Sequence, residues 1–242
     1  MVHREAIIHQ QLQHPNILPF LGIYHEAFAS HPLTILPYME HGSLQHLLDS
    51  LEELMELPKF IKLLIGTSRG LVYLHSRQPP IIHGDLHPGN ILLGQDGNPF
   101  LCDFGRSRIY HNVSRSLSTR EEGGRPRFLA PELLDSQDDQ FSPNQRSDVF
   151  AFAMVALHAW SGQPPFSGIN DQRAIAMLCL GDWPRQPVMA VVLNPTTETA
   201  FWGLLGTMWA HELSQQPQSI QVLEQLEHIL YQCKYMVYVL PC

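Results

Sequence analysis

IIHGDLHPGNILL, residues 81–93, followed by LCDFG at 101–105, is the stretch on which the reading of this chain turns. Its ends are apolar and its middle is not. Ile81 and Ile82 lead into His83, Gly84, Asp85, His87, Pro88, Gly89 and Asn90, and Ile91, Leu92 and Leu93 close the run. Residues 91–93 and 99–102 read as two short strands around Gly94-Gln95-Asp96-Gly97-Asn98, so a hairpin is expected. Upstream, residues 57–76 place Leu63, Leu64, Leu71 and Leu74 at helical spacing, which predicts a long amphipathic helix. A cluster of acid, amide and imidazole side chains is thereby held in a loop between a helix and a hairpin.

Further out, Ser43 can cap a helix beginning LQHLLDSLEEL. Residues 2–13 carry Ile7, Ile8 and Leu12 at helical spacing and stop at His14-Pro15, where proline disfavours more helix. Two apolar runs, 17–24 and 33–38, read as an antiparallel pair despite Pro19 and Pro37. Residues 106–129 are polar and too long for an ordinary connection, the mark of a functional or mobile loop. Residues 147–161 are apolar on nearly every face and predict a central buried helix, with further helices at 171–180, 197–210 and 219–231.

The 242 residues suit one domain, and 44% hydrophobic with 16% charged residues excludes a disordered polyelectrolyte. Fifteen Lys+Arg against 23 Asp+Glu give a net charge of −8, which argues against nucleic acid or an anionic membrane surface as partner. Cys102, Cys179, Cys233 and Cys242 lie far apart with no Cys-x-x-Cys, so neither a disulfide framework nor a zinc site is expected, and a reducing cytoplasmic location fits. The longest apolar stretch, 149–160, is shorter than the ~20 residues that span a bilayer, and MVHREAIIHQ lacks a signal core.

His83-Gly84-Asp85-Leu86-His87-Pro88-Gly89-Asn90 resembles the catalytic loop of eukaryotic protein kinases, in which an Asp is followed five residues later by an Asn. Asp103-Phe104-Gly105, 18 residues past Asp85, resembles their magnesium-binding motif, and Ala130-Pro131-Glu132 follows after the long loop. The resemblance implies an α+β protein-kinase-like fold, mostly helical in its C-lobe, with an incomplete N-lobe of one helix and about two strands. It implies ATP and Mg2+ as cofactors and a protein as substrate. Phosphoryl transfer needs a carboxylate to orient and deprotonate the attacking hydroxyl, and separate oxygen ligands for magnesium. Asp85 takes the first role, and Asn90 and Asp103 the second.

The likeness extends over most of the chain. Glu5, nine residues before His14-Pro15-Asn16-Ile17, stands where kinases carry the helix glutamate that pairs with the ATP-binding lysine; by itself it is a helix surface charge. YMEHGSL, residues 38–44, resembles the hinge, so Leu36 is gatekeeper-like, Pro37 offers its carbonyl and Met39 its N–H to adenine, and Leu92 floors the pocket. Ser147-Asp148-Val149-Phe150 resembles the start of the central helix, whose Asp accepts N–H groups of the catalytic loop. WAHELSQQP and VLEQLEHIL resemble the end of tyrosine-kinase-like domains. The implied division is an N-lobe remnant and hinge at 1–39, a C-lobe at 40–232, and a tail, CKYMVYVLPC, at 233–242.

The departures are specific. No glycine-rich loop and no Val-Ala-x-Lys strand precede Glu5, so the chain reads as a truncated product or fragment. Gly84 stands where an Arg commonly receives a phosphorylated loop, leaving Ser114, Ser116, Ser118 and Thr119 without that receiver. His87 stands where Ser/Thr kinases place Lys beside the transferred phosphate, and Arg125 stands where they place Thr. Gln216 replaces the Arg that pairs with the glutamate matching Glu132, so a buried unpaired carboxylate is expected. Protein phosphorylation, with Ser/Thr slightly favoured over Tyr and impaired in this chain, is the leading reading. A pseudokinase-like interaction module and a small-molecule phosphotransferase are the alternatives, the latter because His-Gly-Asp-Leu-His-Pro-Gly-Asn also resembles aminoglycoside and choline kinases.

Overall fold

The computed structural model describes residues 2–24, 33–109, 125–134, 142–188, 191–210, 212 and 214–236. The side chains of residues 2–5, 106, 108–109, 125 and 232–236 lie outside that description, as do the modifiable residues 114–119 and the end of the tail.

Helix α1 (Val2–His9) precedes the antiparallel pair β1 (Gly22–Tyr24) and β2 (Leu33–Ile35), registered Gly22 to Ile35 and Tyr24 to Leu33. Each element is shorter than its apolar run. Beyond His9 the chain tightens into turns, with Gln11 N donating to Ile8 O and Leu12 N to His9 O. Pro19 and Pro37 bring no ladder N–H and stand outside the strands. Helix α2 (Leu44–Ser50) starts where expected, Ser43 accepting from the His46 amide, but ends before Leu51 rather than running on to Leu54.

Helix α5 (Gln145–Ser161) is the axis of the core, with every residue from Ser147 to Ser161 buried. Asn144 begins it with a capping box: its side chain accepts from the Arg146 and Ser147 amides, and the Ser147 hydroxyl accepts from the Asn144 amide. Helices α3 (Leu57–His75), α4 (Pro131–Leu134), α6 (Asp171–Cys179), α7 (Pro195–Met208) and α8 (Ser219–Met236) complete the helical part. Trp160 of α5 meets Phe201 of α7 edge-on, with centroids 5.1 Å apart.

The hairpin read from the sequence is present as β4 (Ile91–Leu93) and β5 (Pro99–Leu101). Two glycines bring it onto α3. A Cβ at Gly66 would lie 2.5 Å from Pro99 Cγ, and one at Gly70 would lie 2.9 Å from Asn16 O. The loop of residues 83–90 is bracketed by β3 (Ile81–Ile82), paired antiparallel with β6 (Arg108–Ile109), and a parallel bridge joins Ile17 to Leu101. The outcome is the α+β arrangement expected, with short antiparallel strands over a helical body.

Candidate active site

The loop carrying Asp85 is built from below. Asp148, at the first turn of α5 and 1% exposed, accepts from the His83 amide through Oδ2 and from the Gly84 amide through Oδ1, both at 2.8 Å. Oδ2 also lies 3.0 Å from Nε2 of His75, the last residue of α3. A carboxylate only accepts, so His75 Nε2 carries a proton. His75 Nδ1 meets Ser219 Oγ at 2.9 Å at the start of α8, and Gln145 Nε2 donates to the His75 carbonyl at 3.0 Å. One buried polar chain therefore runs from α8 through α3 and α5 to the residues just before Asp85. Gly84 itself has φ +75°, a left-handed conformation that strains any residue with a Cβ.

The imidazole of His83 ties this loop to the strand beyond. His83 Nε2 donates to Cys102 O at 3.1 Å, its Nδ1 accepts from the Asp85 amide at 3.3 Å, and Ser107 Oγ donates to its carbonyl at 3.2 Å. Phe104 stands beside it, ring centroids 5.5 Å apart, and the ring of His9 of α1 lies 4.8 Å from that of Phe104. His9 donates through Nε2 to Leu18 O at 2.6 Å, and burial holds its pKa below the usual range. Asp103 adopts φ 61°, ψ 76°, a left-handed turn that Asp tolerates. That turn sends Phe104 into the core and leaves the Asp103 side exposed, with Oδ1 accepting from the Gly105 amide at 3.2 Å.

Asn90 joins the two halves. Its Nδ2 donates to Asp85 O at 2.9 Å, and its carbonyl accepts from the Cys102 amide at 3.0 Å, next to Asp103. Because Nδ2 is committed to Asp85, the amide oxygen of Asn90 is the atom left for a ligand. His87 Nδ1 accepts from the Gly89 amide at 3.0 Å, capping the 3-10 turn Pro88–Asn90, and its ring lies 6.5 Å from that of Phe128. Leu36, Pro37, Met39 and Leu92 are half-buried. Residues 39–43 lie along β4: Gly42 N donates to Met39 O, Leu93 N donates to Gly42 O, and Ser43 bridges Leu92.

A family model described as protein kinase domain matches residues 1–225. This chain belongs to the protein kinase family. Within the eukaryotic kinases it falls in the tyrosine-kinase-like group. It is 29% identical over 231 residues to the serine/threonine-protein kinase CTR1 of Arabidopsis thaliana, covering 94% of this chain and 26% of that protein. It is 28% identical over 230 residues to the serine/threonine-protein kinase TNNI3K of Mus musculus, covering 95% and 26%. A probable serine/threonine-protein kinase of Dictyostelium discoideum, drkC, is 27% identical, covering 93% and 28%. The chain thus spans about a quarter of the length of these relatives.

The kinase departures have physical consequences. Burial raises the Glu132 carboxyl pKa above the usual range, opposed by its own backbone amide, and Oε1 has no hydrogen-bond partner among the described residues. Gln216 sits 5% exposed and donates to Ala210 O at 3.0 Å, while its Oε1 is likewise without a partner among the described residues. Arg146 donates to the Gln216 carbonyl. Glu5 lies on α1, but its side chain is outside the described residues, as is that of Arg125. No helix among the described residues is long and apolar enough to cross a membrane.

His75, Ser219 and His9 were not singled out by the sequence reading. His75 and Asp148 are 73 residues apart, and His75 and Ser219 are 144 apart, so no local pattern announces either contact.

Proposed function

We propose that this site transfers the γ-phosphoryl group of ATP to protein hydroxyls, Ser/Thr ahead of Tyr, with Asp85 accepting the proton of the attacking hydroxyl. The observation that carries the reading is the Asn90 bridge, which holds Asp85 on one side and the Cys102-Asp103 backbone on the other. The names of the relatives as serine/threonine kinases support the hydroxyl class.

The donor set fits Mg2+. The Asn90 amide oxygen and the exposed Asp103 carboxylate are hard oxygen ligands. Mg2+ takes its remaining ligands from phosphates and water. When bound, Mg2+ offsets the charge of the phosphates. Asp85 orients and deprotonates the acceptor, Leu36 and Leu92 bound the adenine slot, the Pro37 carbonyl and Met39 N–H address its edge, and Glu5 belongs to the lysine-pairing position. His87 belongs beside the phosphate. Its Nδ1 is engaged with Gly89, so it caps the loop first and contributes a charge only when that bond is released. The division at 39/40 and 232/233 and a cytoplasmic site of action belong to the same reading; α8 continues across the second boundary to Met236.

The 242 residues contain neither a Gly-x-Gly-x-x-Gly nor a Val-Ala-x-Lys, so transfer by this chain is slow, positioning being most of kinase catalysis. A protein interaction module is the second reading. Calorimetric titration with ATP separates the two. Binding should require MgCl2 and weaken at least tenfold in Asp103→Asn. Binding indifferent to both, or no binding, contradicts the proposal.

A further inference from the structure

Resting on the phosphoryl-transfer reading, we propose that Arg127 is a positioning residue that seats the segment 125–130 beside the catalytic loop without any phosphate added to the chain. The family's usual phosphate receiver is Gly84 here and offers no guanidinium. A guanidinium is found instead within the segment. Arg127, in the 3-10 turn Arg125–Phe128, sends Nε to Asp171 Oδ1 at 2.6 Å, Nη1 to the carbonyls of Pro165 and Phe166 at 2.9 Å each, and Nη2 to Ile169 O at 2.5 Å.

The receiving loop is shaped for it. Phe166 has φ 58°, an uncommon conformation for a bulky residue, which marks a backbone held in place by its surroundings. Asp171 opens α6, directly after the capping Asn170. The Arg127 side chain is only 12% exposed, against 43% for Asp171, so its contacts to the three carbonyls are the ones salt screens weakly, and each contact is charge-assisted. Three carbonyls and a carboxylate arranged around one planar fork are a geometry that a lysine ammonium cannot reproduce.

The clamp reaches the chemistry through the next residue. Phe128 is 5% exposed, stacks on His158 of α5 at 6.2 Å and faces His87 at 6.5 Å, two residues from Asp85. A substrate presenting its hydroxyl to Asp85 must pass along this wall. Holding the wall in register is therefore a matter of substrate placement rather than of proton transfer, and its loss should appear in KM more than in kcat.

The test uses the whole chain after phosphatase treatment, with mass spectrometry confirming that no phosphate remains. Hydrogen exchange in peptides covering 126–134 should be slow in the wild type. It should be about tenfold faster or more in Arg127→Lys and in Asp171→Asn, with peptides from α3 and α5 unchanged. Asp171→Asn removes only the partly exposed carboxylate and stands in should the arginine variant loosen the whole fold. Peptide KM should rise in both variants with kcat within about twofold. Fast exchange of the segment in unphosphorylated wild type, or no change in Asp171→Asn, overturns the inference. If no variant transfers phosphate, the exchange data still judge the clamp, and only the catalytic reading falls.

Discussion

Asp148 and Glu132 are both acidic residues at the start of a helix, pressed against the same body, and they differ in what meets them. Asp148 receives two backbone amides and an imidazole. Glu132 has an oxygen with no partner among the described residues, and a raised pKa from burial. The first builds the floor under Asp85, since desolvation of its charge is offset by donors fixed before any ligand arrives. The second stands where the family resemblance expects an arginine partner and the sequence has Gln216, so the cost of burial is offset only in part, by its own backbone amide.

The sharpest way to break this contrast is to remove the partnered carboxylate. Asp148→Ala strands two amides and His75 and should destabilise by roughly 3 kcal/mol or more. Urea unfolding that shows less than about 1 kcal/mol would mean that the floor is held by something else.

Acid should act next. His158 is buried with its pKa lowered to about 4 by desolvation, partly opposed by Asp49, and burial lowers His9 and His14 in the same direction, helped at His14 by Arg69. A histidine kept neutral in the fold contributes stability fully above its unfolded pKa of ~6.5, and loses it as pH falls through the folded value. His158 alone should account for up to about 3 kcal/mol between pH 6.5 and 4. Glu132 works in the opposite sense, since its neutral form is favoured in the fold and lower pH relieves its burial. Unfolding measured across this range should fall toward acid and flatten in His158→Phe.

Restoring the missing donor sharpens the comparison from the other side. Gln216→Arg, or neutralisation by Glu132→Gln, should stabilise by about 1 kcal/mol at neutral pH, the glutamine gain vanishing below the Glu132 pKa. A loss of stability in both variants would mean that Glu132 has a partner supplied by solvent. The smallest effect is at Ser219. Ser219→Ala should cost about 0.5 to 1 kcal/mol and Ser219→Thr much less, because only the hydroxyl serves His75.

The fold was readable to the extent that it depends on local periodicity. The mostly apolar 147–161 run, the Gly94–Asn98 turn and the Ser43 cap each carry their signal within a few residues. Strand lengths were overread where Pro19 and Pro37 interrupt apolar runs, because hydrophobicity reports burial and not ladder hydrogen bonds. The two-residue pairing of β3 with β6 joins positions too far apart and too short to leave a pattern. The Asp148 anchor was legible because Ser147-Asp148-Val149-Phe150 resembles the start of the kinase central helix, and a buried Asp on an apolar helix demands donors. His75, Ser219 and Arg127 were not, since each acquires its role from partners brought in by tertiary packing.

The claim on which the rest depends is that this partnered floor holds Asp85 as a working base. It is tested most directly by single-turnover transfer of the ATP γ-phosphate to a Ser/Thr peptide, comparing purified wild type with Asp85→Asn. The account predicts slow, magnesium-dependent phosphopeptide formation in the wild type that falls at least a hundredfold in Asp85→Asn. No transfer by the wild type, or equal transfer by the two proteins, would contradict it.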